Sequence, residues 1–154
     1  MLWFFRLPVV LYRLGMPGYE CLFGLRWIMI TTKGRRTGKS HMVILDLVGH
    51  DPACGRYYVQ PGWGRNCDWV KNIEAHSVIE VQIGRKRFQA KATDVSGPEG
   101  GEWIFRFIKA HPLLTRLIGE KILGVRLKGR SDEEVRALTN GLMVFALVPL
   151  ELKA

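Results

Sequence analysis

Six short runs of β-branched or alternating apolar residues constrain the fold more than any other feature of this sequence. Glycines or polar residues separate the runs, and runs of this kind are typical of β-strands. They span residues 27–32, 41–49, 55–60, 78–83, 85–95 and 141–150. The sequence therefore predicts an α+β domain in which about six mostly antiparallel strands curl into a barrel, with helices packed outside it.

A short helix is predicted between the third and fourth strands, over residues 68–76. Asp68 is the expected N-cap, because a carboxylate can accept hydrogen bonds from the free amides of the first turn. Trp69, Asn72 and Ile73 would then share one face of the helix. This face is expected to pack on the barrel.

Two helical patterns follow the fifth strand. The first covers residues 100–124 and is broken at Pro112, since proline cannot continue a helix. Ser131 and Glu134 have the spacing of a capping box, which predicts a second helix that ends near Thr139.

The size and charge of the chain limit its number of domains and the kinds of ligand that it attracts. Its 154 residues fit one domain, 1–154, that needs no disulfide. The formal net charge of +9 and the pI near 9.8 indicate a positive field that attracts phosphates, carboxylates or an anionic bilayer. The sequence has no helix-turn-helix spacing, zinc finger or aromatic RNA-recognition run, so we expect no nucleic-acid partner.

The first 26 residues are very apolar, but they carry Arg6, Arg13, Glu20 and Arg26. No uncharged run reaches the roughly 18 residues that a membrane-spanning helix needs. Arg6 and Arg13 would lie on nearly the same side of a helix, which leaves a wide apolar surface on the rest of it. We therefore expect residues 1–26 to form a helical segment that packs on the barrel or on a membrane surface.

Motifs for metal binding or hydrolysis are missing from the sequence. Cys21, Cys54 and Cys67 are far apart, and no histidine lies at metal-ligand spacing from them. This pattern indicates reduced thiols in a cytoplasmic protein and no metal site. Because no nucleophile elbow or catalytic dyad is visible, we assign no catalytic residue.

The stretch TTKGRRTGKSHMV, residues 31–43, is a basic turn between two predicted strands. Lys33, Arg35, Arg36 and Lys39 surround two glycines, which would let backbone amides approach an anion. The stretch is not a Walker loop, because its spacing differs and a strand follows it. An ordinary solvated hairpin turn is the alternative interpretation.

The stretch QPGWGRNCDWVKN, residues 60–72, combines aromatic and basic residues after a strand end. Trp63 lies between two glycines, Trp69 lies on the predicted helix, and Arg65 and Lys71 are close to them. A flat, conjugated, anionic ligand would use both stretches, with indole rings beside its own ring and cations beside its phosphate. A core position is the simpler interpretation of Trp69, so Trp63 is the better candidate contact.

Three segments in this order resemble the deazaflavin-dependent nitroreductase family, whose members are small split β-barrel proteins. They are TTKGRRTGKSHMV, PGWGRNCDWVKNIEAH and VIEVQIGRKRFQAKATDV. The likeness is close over residues 27–95 and looser in the C-terminal helices and the last strand. It implies a split β-barrel of the FMN-binding type and coenzyme F-420, an 8-hydroxy-5-deazaflavin, as the cofactor.

The resemblance also implies site residues. In that family the basic turn and the start of the next strand hold the phosphate and acidic tail of the coenzyme. This role passes to Arg35, Arg36, Thr37, Gly38, Lys39 and His41. The segment after the third strand lines the ring, a role that passes to Gln60, Pro61, Gly62, Trp63, Trp69 and Asn72. Many relatives have arginine at the position of His41, which implies a weaker or pH-sensitive hold on the phosphate.

The implied activity is hydride transfer from carbon 5 of the reduced deazaflavin to a quinone, nitro or enone acceptor. Nitro-reducing members place tyrosines over the substrate, whereas residues 100–124 contain none. Trp103, Phe105 or Phe107 would supply packing there without a hydroxyl group. Nitroimidazole reduction is therefore disfavoured.

Other interpretations stay open. One is an FMN- or haem-binding protein on the same barrel, because a fold does not fix its cofactor. Another is a basic nucleic-acid or membrane-binding module without redox chemistry. The resemblance further implies a small-molecule redox substrate and a homodimer. The cysteine pattern indicates a cytoplasmic location, and the apolar N-terminal segment allows peripheral membrane contact.

Overall fold

The computed structural model describes residues 21–22, 25–62, 64–116 and 126–151. Its strands are β1 (Cys21–Leu22), β2 (Leu25–Lys33), β3 (Ser40–Asp51), β4 (Arg56–Val59), β5 (Val78–Ile83), β6 (Lys86–Asp94) and β7 (Phe145–Pro149). They are ordered β1-β2-β3-β4-β7-β6-β5, and β5 pairs back onto β2. Every pairing is antiparallel. Strands β2 to β7 therefore close into the predicted barrel.

Alternate residues of the strands fill the interior of the barrel, because successive side chains of a strand point to opposite faces. Ile28 and Ile30 of β2, Val59 of β4, Val81 of β5 and Leu147 of β7 are all 0% exposed. Burying one such side chain contributes about 1.5–3 kcal/mol. These positions therefore fix the register of the strands around the core.

Helix α1 (Asp68–Ala75) packs against the same core. The ring of Trp69 meets that of Phe145 edge-on, with 5.8 Å between the ring centroids. Trp69, Asn72 and Ile73 are all buried, which confirms the predicted face of this helix. The helix thus joins the barrel core to the segment that carries the candidate site.

The predicted N-cap of α1 is wrong. Cys67 is the N-cap residue and makes no capping hydrogen bond with its side chain, while Asp68 is the first helical residue. The Asp68 carboxylate instead accepts hydrogen bonds from both terminal nitrogens of Arg35, each at 3.2 Å. Asp68 therefore binds a cation that is distant in the sequence, Arg35, and not the backbone amides of its own helix.

The remaining helices lie after β6, and α2 and α4 pack on the outer side of β4 and β7. They are α2 (Pro98–Ala110), α3 (Pro112–Leu114) and α4 (Asp132–Asn140). The break before Pro112 and the capping box of α4 are as predicted. A second buried cluster fills this layer, and it consists of Tyr58, Ile104, Phe105, Ile108, Val135, Val144 and Ala146.

The predicted N-terminal helical segment lies mostly outside the described residues. At its C-terminal end, Cys21–Leu22 and the start of β2 at Leu25 are strand, so this end of the 1–26 segment is not helical. Residues 1–20, which carry the predicted amphipathic pattern, lie outside the described residues. None of the helices in the described ranges is long and apolar enough to cross a membrane.

Candidate functional site

The basic turn joins β2 to β3 in an antiparallel hairpin in which Lys33 pairs with Ser40. Two backbone hydrogen bonds close it, from the Gly34 amide to the Lys39 carbonyl at 2.8 Å and from the Gly38 amide to the Gly34 carbonyl at 2.9 Å. Gly38 has a φ of 68°, a conformation that penalises any residue with a side chain. The turn is therefore a defined structure that depends on glycine at this position.

Two consecutive amides of the turn point to no acceptor in the described part of the chain. The Arg35 amide donates to the Asn72 side chain and the Lys39 amide to the Thr37 hydroxyl. The amides of Arg36 and Thr37 make no such bond to any described residue. Successive amides of this kind form a concave site for an anion.

Arg36 and Lys39 carry exposed charges at this turn. Within the described residues, neither side chain makes a hydrogen bond or an ion pair with a carboxylate. Their charge is therefore available to a ligand. Arg35 differs, because its guanidinium group is engaged by α1.

Asn72 fixes the turn to helix α1. It is 3% exposed, and its Oδ1 accepts from the backbone amide of Arg35 and from Nη1 of the same residue, both at 3.2 Å. Its Nδ2 donates to Oγ1 of Thr32 at 3.2 Å, and that hydroxyl donates to the His41 carbonyl at 3.4 Å. The turn, both of its strands and α1 therefore form one connected unit.

A cleft of about 410 Å³ lies between the turn and α1. It is lined by Gly34, Arg35, Arg36, Thr37, His41, Met42, Val43, Asp68, Trp69 and Asn72. The lining combines the cations Arg35 and Arg36 with the apolar residues Met42, Val43 and Trp69. A Cβ atom on Gly34 would lie 2.8 Å from Nε2 of His41, so the glycine lets the imidazole lie against the turn.

The predicted phosphate-side residues are brought together by the structure. Arg35, Arg36, Thr37 and His41 line the cleft. Gly38 and Lys39 belong to the same turn but do not line the cleft. This clustering follows from the hairpin itself, since five of the six residues lie in the β2–β3 connection and His41 is the second residue of β3.

The predicted ring-side residues are divided between two hollows. Trp69 and Asn72 line the cleft, whereas Gln60, Pro61 and Gly62 line a separate hollow of about 370 Å³. Trp63 lies outside the described residues. Trp69 is a core residue and also lines the cleft, so its core position is confirmed and its contact with the ring stays a prediction.

The aromatic residues of α2 pack elsewhere. Trp103 stacks on Tyr58 with 4.6 Å between ring centroids and covers Gly49, where a Cβ atom would lie 2.3 Å from the indole ring. Phe105 is buried beneath the guanidinium group of Arg136, 3.8 Å from the ring centroid. Trp103, Phe105 and Phe107 line neither the cleft nor the hollow at Gln60. The fold uses them to pack α2.

Four residues that line the cleft are absent from the predicted site residues, namely Gly34, Met42, Val43 and Asp68. Met42 and Val43 continue β3 directly from the basic turn, and the strand assignment could have indicated them. Asp68 was interpreted as a helix cap. The available signal was an acidic residue close to aromatic and basic residues in a chain with 23 Lys and Arg against 14 Asp and Glu.

Metal binding has no visible site in the described ranges. No group of three or more histidine, cysteine, aspartate or glutamate residues is placed there to hold a metal ion. Cys54 and Cys67 are free thiols.

The sequence matches the family model described as F420H2-dependent quinone reductase over residues 8–119. The chain belongs to this family. The matched range contains both the basic turn and helix α1. The chain is therefore an oxidoreductase that uses coenzyme F-420, in agreement with the predicted deazaflavin-dependent chemistry.

Solved structures confirm the split β-barrel. An F420H2-dependent reductase is 22% identical with a TM-score of 0.52, covering 79% of this chain and 92% of its own. A structure described as a domain-swapped dimer is 21% identical with a TM-score of 0.54, covering 92% and 93%. An FMN-binding protein related to pyridoxamine 5′-phosphate oxidase, from Nostoc punctiforme, is 12% identical with a TM-score of 0.50, covering 94% and 78%. No curated protein matches the sequence significantly.

Proposed function

We propose that this family member binds the phosphate and acidic tail of reduced coenzyme F-420 in the cleft beside the basic turn and uses it to reduce a quinone. The observation that carries the proposal is the exposed Arg36, which has no ion-pair partner among the described residues and lies next to two amides without an acceptor there. Cations and oriented amides together suit a phosphate better than either does alone. The cleft's donors therefore fit the anionic part of the coenzyme.

The turn residues would divide this role between them. Arg36 and the amides of Arg36 and Thr37 would bind the phosphate directly. Lys39 lies on the same turn and would attract the acidic tail over a longer distance. His41 would donate a hydrogen bond from its ring, while Arg35 is held by α1 and contributes mainly its charge.

The apolar part of the lining suits the edge of a flat ring. Met42, Val43 and Trp69 contribute it. The contribution of Gln60, Pro61, Gly62 and Trp63 to the ring is proposed from the family resemblance. The 3-10 helix Gly64–Asn66 joins that corner to α1 in the chain. We propose that the ring extends from Trp69 toward this corner.

When bound, the reduced coenzyme supplies a hydride from carbon 5. The chain itself binds the anionic groups, orients the ring and limits access of water to it. Solvent or a hydroxyl group would protonate the oxygen of the reduced quinone. This division of labour agrees with the described lining of the cleft, in which no hydrogen bond pairs an acid with a base.

A quinone is the preferred acceptor class. The family description supports it, and the absence of tyrosine from residues 100–124 disfavours a nitro acceptor. We also expect a cytoplasmic homodimer that touches the membrane through residues 1–26, where a lipid quinone would be available. Sedimentation analysis and flotation with phospholipid vesicles test these two expectations separately.

The proposal is tested by titrating the purified full chain with coenzyme F-420 and with FMN, followed by a quinone turnover assay. Arg36→Ala should weaken coenzyme binding by about 10-fold to 100-fold, because hydrogen bonds to charged groups contribute about 1.5–3 kcal/mol. Arg85→Ala is the matched control, since Arg85 is an exposed turn arginine that does not line the cleft.

Two results would contradict the proposal. In the first, Arg36→Ala and Arg85→Ala bind the coenzyme equally well. In the second, FMN binds more tightly than coenzyme F-420, which would favour the FMN-binding alternative on the same barrel.

A further inference from the structure

Asp68 is the one carboxylate among the described residues that line the cleft. Its side chain is 84% exposed, and the arginines that line the same cleft, Arg35 and Arg36, are cationic. The proposed ligand of this site is itself an anion. An exposed carboxylate here therefore opposes the binding that the neighbouring cations favour.

The carboxylate of Asp68 is not used to cap its own helix. Helix α1 has no side-chain cap, and the hydrogen-bond partner of Asp68 in the described residues is Arg35. Together with Oδ1 of Asn72, Asp68 Oδ1 engages both terminal nitrogens of that guanidinium group. Bidentate recognition of a phosphate needs two parallel N–H donors. Asp68 and Asn72 therefore occupy three of the five N–H donors of Arg35, including its end-on pair, and leave Nε–H and one Nη2–H for a ligand.

We propose that Asp68 is a built-in counter-ion that competes with the anionic groups of the coenzyme for Arg35 and so limits the affinity of the cleft. The inference rests on the proposed binding of the coenzyme at the basic turn. Two effects act in the same direction: Asp68 occupies donors of Arg35, and it repels a second negative charge in the same cleft. Both effects are moderated by solvent, because Asp68 is exposed.

The consequence for turnover is a limit on how long the coenzyme stays bound. An enzyme that consumes a reduced coenzyme must release the oxidised form before the next molecule enters. The phosphate and acidic tail are the same in both forms, so Asp68 weakens the binding of both equally. Removing its charge should then lower KM for the coenzyme without raising kcat, as expected for uniform binding.

The test is Asp68→Asn in the full chain, measured by coenzyme fluorescence titration, by steady-state kinetics and by competition with inorganic phosphate. Asp132→Asn is the matched control. Asp132 is likewise the first residue of a helix and pairs with a cation, Lys109, at 2.5 Å, but it lines a different hollow. Both variants remove one negative charge, so a general change of net charge affects them equally.

We expect Asp68→Asn to bind coenzyme F-420 about threefold to tenfold more tightly at low salt, with the gain shrinking as salt screens the charges. Its KM should fall while kcat stays equal or falls. Asp132→Asn should bind like the unaltered chain. Asp68→Ser, which keeps a small polar side chain at the helix start, should reproduce the tighter binding.

Weaker or unchanged coenzyme binding by Asp68→Asn would overturn the inference, since it would make Asp68 a positioning residue for Arg35 or a bystander. Failure of the proposed function gives a different result. In that case Arg36→Ala leaves coenzyme binding unchanged, while the phosphate competition still reports whether Asp68 opposes an anion at the turn. Equal phosphate affinity of Asp68→Asn and Asp132→Asn would by itself contradict the proposed counter-ion role of Asp68.

Discussion

Helices α1 and α4 both begin with an aspartate, yet they begin in different ways. In α4, the Ser131 hydroxyl accepts from the Glu134 amide at 3.3 Å, and the Glu134 carboxylate accepts from the Ser131 amide at 2.8 Å. In α1, Cys67 supplies no cap, and the carboxylate of Asp68 turns to Arg35. The start of α4 is thus satisfied by its own segment, whereas the start of α1 is committed to a distant turn.

The difference teaches where the stability of each helix originates. Helix α1 has 8 residues, a length at which an isolated helix is not stable in water. Burial of Trp69 and Ile73 in the barrel core holds it in place without a cap. Its first acidic residue is therefore available to the cleft, and the missing cap marks the helix end that faces the candidate site.

The largest expected effect comes from Asn72→Leu. This change removes the acceptor of the Arg35 amide and the donor to the buried Thr32 hydroxyl. We expect a loss of about 3 kcal/mol in the free energy of unfolding, since each unsatisfied buried group costs about 1–3 kcal/mol. Urea denaturation measures the loss, and coenzyme titration should show weaker binding because the turn is no longer anchored.

The buried polar residue of α4 provides the control for that variant. Thr139 is 0% exposed and donates to the Arg136 carbonyl at 3.0 Å. Thr139→Val should cost about 1 kcal/mol and leave coenzyme affinity unchanged. Equal effects of the two changes on coenzyme binding would break the distinction between the two helices.

A smaller effect is expected from Gly101→Ala, which tests the packing of α2 on α4. A Cβ atom at this position would lie 2.8 Å from the Cα and the amide nitrogen of Asn140, so backbone must move. We expect a loss of about 2 kcal/mol, typical of overpacking, with unchanged coenzyme affinity of the folded protein. Gly141→Ala is the control, because the nearest atom lies at 3.4 Å and its effect should stay within about 0.5 kcal/mol.

Ser131→Ala sharpens the comparison of the two helix starts. It removes the hydroxyl that accepts from the Glu134 amide, and loss of such a cap costs about 1 kcal/mol. The thermal unfolding midpoint should fall while coenzyme binding stays the same. A loss of coenzyme affinity here would show that α4 also supports the cleft.

The smallest effect concerns an aspartate that belongs to neither helix. Burial raises the pKa of Asp46 above its usual 3.8, although a hydrogen bond from the Trp27 side chain opposes the shift. An acid with a raised pKa contributes stability below pH 3.8 and loses it as the pH rises through the folded-state pKa. Asp46→Asn should therefore gain stability relative to the unaltered chain as the pH rises toward neutrality. Thermal unfolding of both chains at acidic pH and at neutral pH measures this gain. A stability difference that does not change with pH would contradict the prediction.

Much of the barrel was predictable because its signals are local. The runs that became β2 to β7 show alternation or β-branched residues, and Ser131 with Glu134 identifies the start of α4 by spacing alone. The clustering of the residues assigned to the phosphate was predictable for the same reason, since they occupy a single hairpin, while their role stays a prediction. The assignment of Asp68 failed because its partner, Arg35, lies 33 residues away in the sequence.

The sequence by itself determined the strands, the basic turn and the family, because period, glycine placement and motif order are properties of neighbouring residues. The tertiary structure alone decided which charges of the turn are paired within the described part of the chain. Closure of the barrel brings α1 beside the turn, and Asn72 and Asp68 then engage Arg35 but leave Arg36 exposed. That difference between adjacent arginines arises from contacts between segments that are distant in the sequence, so no local sequence pattern predicts it.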